Sequence, residues 1–205
     1  MTNFARLCEQ VKSKLNIGSD IQSITNTRQH AAVALILREN LGNAELLVIK
    51  RAVRAGDHWS GNLALPGGRW QVEDANLLHT AIRETHEEIG IDLSLGGEVL
   101  GQLETLKPRN PLIPKVDVSP FIFSAPKAFH ILKESESSPL LEINHEVAAA
   151  FWVSVDYLKT EGLSDEFRLF IGGEERRWPA YPSEHGPIWG MTERMLSDFL
   201  ALLEE

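Results

Sequence analysis

The sequence predicts an α/β sandwich in which helices cover a mixed β-sheet. Three observations predict it: strand-like segments dominate the middle of the chain, helix-like segments flank them, and one amphipathic helix follows a Pro-Gly-Gly corner. The 205 residues, 43% of them hydrophobic, suffice for a core of ordinary size. No internal repeat, low-complexity tract or linker divides them, so residues 1–205 read as a single domain.

Taken in order, residues 3–15 suggest a helix within an N-terminal helical extension of about 25 residues. The runs QHAAVALILREN (29–40) and AELLVIKRA (44–52) read as two strands joined by the turn NLGN. AVRAGDHWSGN is a loop of small and polar residues that leads through Leu63, Ala64 and Leu65 into the Gly-Gly corner. Beyond the central helix, EVLGQLETL and DVSPFIFSAP are strand-like and are divided by the Pro-rich KPRNPLIPK. AAAFWVSV is a further strand, followed by a short helix at DYLKT. The C-terminal helix, 190–204, is signalled by Met195, Leu196, Phe199, Leu200 and Leu203.

The central stretch LPGGRWQVEDANLLHTAIRETHEEIGI, residues 65–91, carries the chemistry. Leu78, Ile82, Thr85 and Ile89 fall at steps of four, three and four, one stripe of a helix running from about 75 to about 89. Asp74 stands where an N-cap belongs and Gly90 where a left-handed C-terminal cap belongs. At roughly 100° per residue, Glu84, Glu87 and Glu88 share one face, turned away from that stripe. Like charges at these spacings repel by a few tenths of a kcal/mol per pair, and a divalent cation such as Mg²⁺ reverses the sign.

Composition excludes several function classes. A net charge of −9 argues against nucleic acid as the main partner. No apolar run approaches the roughly 20 residues that span a bilayer, and MTNFARLCEQVKSK lacks the apolar centre of a signal peptide. Cys8 is the only cysteine; it reads as a packing residue of the first helix, and a reducing cytoplasmic setting fits. The seven histidines show neither HxxxH nor HExxH spacing, and His86 reads as an exposed filler of the central helix.

The run from Arg83 through Glu84, Thr85, His86, Glu87, Glu88, Ile89 and Gly90 to Ile91 resembles the signature of the Nudix hydrolase family, with Thr85 in place of an apolar residue. The first half departs from it. The family places a Glu eight residues before the Arg and a Gly six before that, where this chain has Ala75 and Arg69; Gly68 and Asp74 keep the six-residue step one position early. Pro-Gly-Gly followed by a displaced Asp is similar to the coenzyme A pyrophosphatase branch. So is LLVIKRAVRAGDHWSGNLALPGG, where Arg51-Ala52 fits, the interval to Gly61 is one residue longer, and Leu65 replaces a Phe. The likeness continues into GPIWGMTERML.

The resemblance implies a Nudix-type α/β/α sandwich, a motif spanning 67–91, and metal-dependent hydrolysis of a diphosphate linkage with Mg²⁺ or Mn²⁺. By carry-over, Glu87 and Glu88 are direct ligands, Glu84 a ligand or a base acting on water, and the Gly68 carbonyl a further ligand, with Gly67 supporting the corner. Arg83 pairs with a motif carboxylate, and Asp74 either caps the helix or orients Arg83 or the metal shell. A later acid on a mobile loop is expected at Glu146, six residues before Trp152, with Glu104 and Glu142 as rivals. Arg51, Arg54 and Lys115 are candidate phosphate contacts, beside Lys107 and Arg109. Trp59 and Trp70, which flank the corner, could each stack on an adenine. The implied partner is a small nucleoside diphosphate derivative bound by a monomer or homodimer, coenzyme A or a related compound first. ADP-ribose or another nucleotide sugar, or a non-catalytic nucleotide-binding role, are the alternatives. An isomerase on the same scaffold would need a cysteine near the motif, and Cys8 is far from it in sequence.

Overall fold

The computed structural model describes residues 2–16, 29–55, 60–109, 115–171 and 174–204. Helix α1 (Asn3–Lys14) is followed by strands β1 (Gln29–Asn40), β2 (Asn43–Arg51), β3 (Leu63–Ala64) and β4 (Gly67–Arg69). Helix α2 (Leu77–Ile89), strands β5 (Glu98–Gln102), β6 (Val116–Ser124) and β7 (Val147–Ser154), and helix α3 (Val155–Glu161) come next. Strands β8 (Ser164–Ile171), β9 (Glu174–Tyr181) and β10 (Ile188–Trp189) and helix α4 (Gly190–Leu202) complete the order.

The main sheet has seven strands, with β3, β2, β1, β6 and β5 along its path, β4 on β1 and β7 on β2. It is mixed, because β1 and β6 run parallel while the other pairs are antiparallel. Period-two alternation along β1 and β2 feeds two cores. Leu35, Leu37, Leu46 and Val48 pack with α1 and α4 residues such as Val11, Leu196 and Phe199. Ala34, Ile36, Leu47 and Ile49 pack with Ala81 and Ile89 of α2. Helices on both faces make the predicted sandwich.

One local departure from a simple sheet positions everything that follows. β1 and β2 pair only near their shared turn, from Leu37↔Leu46 to Asn40↔Asn43, where Leu41 and Gly42 both take positive φ as a two-residue I′-type hairpin requires. Further from the turn the two strands part. Into the gap runs the segment 63–69: Leu63 and Ala64 pair with Lys50 and Ile49 of β2, the chain reverses at Leu65 and Pro66, and Gly67–Arg69 pair with Val33, Ala32 and Ala31 of β1. The Ala34 N–H donates to the Pro66 carbonyl at 2.8 Å and fixes the tip. The Gly-Gly corner is a wedge driven into the sheet.

Several elements correct the sequence reading. α2 starts at Leu77, and its N-cap is Asn76, whose Oδ1 accepts from the His79 N–H at 2.9 Å; Asp74 lies before the helix and has other work. The core face of α2 is Leu77, Thr80, Ala81, Thr85, Glu88 and Ile89, so the stripe is rotated toward Glu88. Thr85 tolerates full burial because its hydroxyl donates back to the Ala81 carbonyl at 2.7 Å. α1 ends at Lys14, and the rest of the expected extension, apart from Leu15 and Asn16, lies largely outside the described residues; α4 ends at Leu202 rather than 204. The expected strand over 98–106 is shorter, with Leu106 retaining one isolated bridge to Val118. The second sheet of β10, β9 and β8 was not anticipated, although FRLFIGGEERRW carries the Gly-Gly that marks hairpins. Among the described residues no helix is long and apolar enough to cross a membrane.

Cys8 is 7% exposed in the core under α1, and burial pushes its thiol up to about 12. A thiol so held is neutral at physiological pH and packs as a small hydrophobe.

Candidate functional site

The wedge and the end of α2 face each other, and backbone conformation decides how closely. Gly67 has φ +149°, and a Cβ there would run into the Ala32 carbonyl and Val33, so only glycine lets β4 lie on β1. Its N–H donates to Glu88 Oε2 at 2.8 Å. Gly68 leaves room of another kind: a Cβ there would land on the Glu84 carboxylate. Both corner glycines therefore meet motif acids directly.

Glu88, expected on an outward face, is only 2% exposed. Burial pushes its carboxyl up to about 7; the Gly67 N–H and the Arg51 charge oppose the rise, while the charges of Glu84 and Glu146 add to it. Glu84 is also raised, by burial first, with Glu87 and Glu146 contributing and Arg83 opposing. Glu87 is half exposed.

Arg83 ties the acids together. Its Nε and Nη2 donate to Asp74 Oδ1 and Oδ2 at 2.8 and 2.9 Å, a two-pronged pair. Nη1 donates to Glu84 Oε1 and to Glu87 Oε2, each at 3.0 Å, and Nη2 also reaches the Arg69 carbonyl. Asp74 itself is buried and accepts from the Gln71 N–H and the Thr80 hydroxyl. The Arg83 bonds hold its carboxyl below the usual range. An acid one position early in sequence thus still reaches Arg83 from just ahead of the helix.

A second loop closes the site from the far side. Glu142 and Asn144 donate their N–H groups to the carbonyls of Ile89 and Glu88, satisfying the C-terminal end of α2, where Gly90 takes φ 74°. The same loop delivers Glu146, whose charge is felt by both Glu84 and Glu88. Its carboxylate pairs with Arg54 Nη1 at 2.9 Å. Of the rivals, Glu104 acts on Asp198 of α4, on the opposite face of the sheet, and Glu142 packs beside Gly90. Sequence reasoning missed the Arg54–Glu146 contact because 92 positions separate the partners.

The remaining candidates are dispersed. Arg51 ends β2, within Coulomb range of Glu88. Lys115 is exposed immediately before β6, and His86 is exposed on α2. Trp70 is half-buried and donates its indole N–H to the Asp74 carbonyl at 3.2 Å, which bolsters the turn. Trp59 lies outside the described residues.

The charge balance shows what is missing. Asp74, Glu84, Glu87, Glu88 and Glu146 are five acids against the three guanidiniums of Arg51, Arg54 and Arg83, which leaves two negative charges at full ionisation. Glu87 and Glu88 also sit in the last turn of α2, where the helix dipole is negative. Among the described residues no three His, Cys, Asp or Glu groups form a ready-made metal cage. Mg²⁺ does not require one, because it keeps waters and shares its shell with phosphates, so the donor set fits a hard divalent ion. Gly68→Ala probes one piece of this arrangement: the nearest atoms the added methyl meets are the carboxylate end of Glu84, which must shift. The expected result is a kcat loss of at least about tenfold with Tm nearly unchanged; full activity in the variant would show that the Glu84 position is immaterial.

The family model described as NUDIX domain matches residues 27–170. An uncharacterised Nudix hydrolase, NudL, from Enterobacter sp. (strain 638) is 30% identical over 181 residues, covering 86% of this chain and 83% of that protein. A shorter stretch of 48 residues is 52% identical to an uncharacterised protein of Schizosaccharomyces pombe, covering 23% of this chain and 15% of that one. Among solved structures, a MutT/nudix family protein from Enterococcus faecalis aligns over 99% of this chain and 75% of its own, with a TM-score of 0.51 and 15% identity, a likeness of fold.

Proposed function

The chain belongs to the Nudix hydrolase family, and from that premise we propose that it hydrolyses the diphosphate linkage of a nucleoside diphosphate derivative, coenzyme A or a related compound, with Mg²⁺ or Mn²⁺. The observation that carries the reading is the acidic nest between the Gly-Gly wedge and the end of α2, short of two positive charges. A divalent cation bound there supplies positive charge to the phosphate oxygens and a route to an activated water.

Glu84, Glu87, Glu88 and the Gly68 carbonyl would hold the ion. Arg83 fixes the directions of Glu84 and Glu87 from its anchor on Asp74, and the Gly67 N–H fixes Glu88. Glu146 is the late acid, set on the loop that clasps the end of α2. Arg51, Arg54, Lys115 and Trp59 are assigned to substrate. Coenzyme A is favoured over ADP-ribose and other nucleotide sugars by the sequence likeness around Arg51, Gly61 and the corner. A non-catalytic role is disfavoured by the intact Glu84, Glu87 and Glu88. An isomerase is disfavoured by Cys8, which lies in the core on the sheet face away from α2.

The test is a panel of coenzyme A, ADP-ribose and other nucleoside diphosphate derivatives with Mg²⁺ or Mn²⁺, read by product mass. Two phosphate-bearing fragments are expected, and none in excess EDTA; turnover that survives EDTA would sink the reading. In the same assay Glu146→Gln should lower kcat at least tenfold with folding unchanged, because its contribution arises in the transition state. Glu104→Gln and Glu142→Gln should not, and a defect at either would move the role there.

A further inference from the structure

Glu146 is anchored by its backbone and partly exposed at its side chain. Its carbonyl accepts from the Ala52 N–H at 2.8 Å, its own N–H donates to Asn144 Oδ1 at 2.7 Å, and the next residue begins β7. The carboxylate has a choice of partners. On one side are Glu84 and Glu88, whose charges repel it in the absence of a cation. On the other is Arg54, paired through Nη1 at 2.9 Å while Nη2 approaches the His145 carbonyl at 3.4 Å. Arg54 is anchored likewise, its N–H donating to the Ser60 hydroxyl. The two side chains are 41% and 39% exposed, so the pair is of the weak, readily exchanged surface kind rather than a buried lock.

We propose that Arg54 is the exchangeable partner of Glu146: it holds the carboxylate in the free protein and passes to the diphosphate oxygens when substrate binds, releasing Glu146 to the acidic nest. This rests on the reading of the site as a cation-dependent diphosphate hydrolase. The hand-over follows from the chemistry of each group. A guanidinium matches two oxygens of a phosphate as well as it matches a carboxylate, and a diphosphate offers more negative charge. A cation bound among Glu84, Glu87 and Glu88 adds attraction for Glu146 that offsets the repulsion from Glu84 and Glu88. Arg54 is thus a positioning residue for Glu146 in one state and a substrate contact in the other.

The experiment measures Mn²⁺ binding by calorimetry, without substrate, in the wild type, Arg54→Ala, Glu146→Gln and the double variant. Removing Arg54 frees Glu146, and Mn²⁺ should bind about threefold to fivefold tighter. Loss of one positive charge also strengthens cation binding through the general field, and that part survives in the Glu146→Gln background. The hand-over part must not, so the gain on removing Arg54 should be clearly smaller there. With Mn²⁺ saturating, Arg54→Ala should weaken binding of methylene diphosphonate at least about tenfold, and Arg54→Lys should recover part of it. An equal gain in both backgrounds, or unchanged diphosphonate binding, overturns the proposal. Failure of the underlying reading looks different: wild type and Glu84→Gln would then bind Mn²⁺ equally weakly.

Discussion

Replacing Glu88 by glutamine is expected to lower kcat at least about a hundredfold and, in the same molecule, to stabilise the cation-free protein at pH 8. The two effects have one origin. Glu88 is buried, accepts from the Gly67 N–H, and its carboxyl is pushed up to about 7 against an ordinary 4.5. An acid whose folded value lies above its unfolded value binds its proton more tightly when folded. Its charge therefore costs nothing at pH below about 4.5, costs progressively more as pH rises to about 7, and then reaches a plateau of about 3 kcal/mol. Glutamine has no charge to bury and keeps an oxygen for the Gly67 N–H. Urea denaturation in EDTA should thus show the variant ahead of wild type at pH 8 and the gap reduced to roughly a quarter at pH 5. Saturating Mg²⁺ should reverse the order at pH 8, since the ion stabilises only the chain that binds it. Glu87→Gln provides the contrast: its carboxylate is half exposed, so an equal loss of kcat is expected with little change in stability. A Glu88→Gln protein that is active, or less stable than wild type at pH 8 without metal, would refute this account.

Asp74→Asn is expected to cost about 3 kcal/mol of stability and to lower kcat at least about tenfold, well beyond the roughly 1 kcal/mol of a lost helix cap. Its side chain is 4% exposed and holds two prongs of Arg83, so removing its charge strands a guanidinium that is itself only 22% exposed. Arg83 then has Glu84 and Glu87 as its remaining carboxylate partners and is drawn toward the oxygens a cation would need. The stabilisation is also pH-dependent. Arg83 holds the Asp74 carboxyl below its ordinary value, so the contribution is present above that value and is lost as pH falls through the lowered one. Chemical denaturation together with steady-state kinetics checks both parts. A loss near 1 kcal/mol with normal kcat would return Asp74 to a minor structural role.

The fold was legible where one physical rule acted alone. Apolar alternation in 29–40 and 44–52 marks strands whether or not one knows what packs on them, and it gave both faces of the sheet. The α2 periodicity and the left-handed Gly90 were similarly local. The burial of Glu88 was not, because a helical wheel groups it with the other acids, and the Gly67 N–H that meets its carboxylate lies 21 positions away. Asp74 stayed open between two uses for the reverse reason: a cap was the nearest local use for it, while Arg83, the partner that the alternative reading named and the structure shows, lies nine residues on. The β8–β9 hairpin went unseen because much of β9 is exposed and charged, including Glu174, Glu175, Arg176 and Arg177, which leaves little apolar alternation to read. Within the site, the motif acids were visible as a pattern, and their constraints were visible only in three dimensions.

The wedge between β1 and β2 bears on how a chain of this kind diversifies. Because Leu63–Ala64 is fastened to β2 and Gly67–Arg69 to β1, Arg51 and Leu63 sit at fixed points of the sheet, and the number of residues between them enters neither register. By the resemblance to the coenzyme A pyrophosphatase branch the interval before Gly61 is one residue longer, which adds a loop-closure cost well below 0.6 kcal/mol, the approximate figure for a full doubling of loop length. New side chains can therefore be spliced in beside Arg54, changing what the rim touches, while the carboxylates fixed by Gly67, Gly68 and Arg83 keep their places.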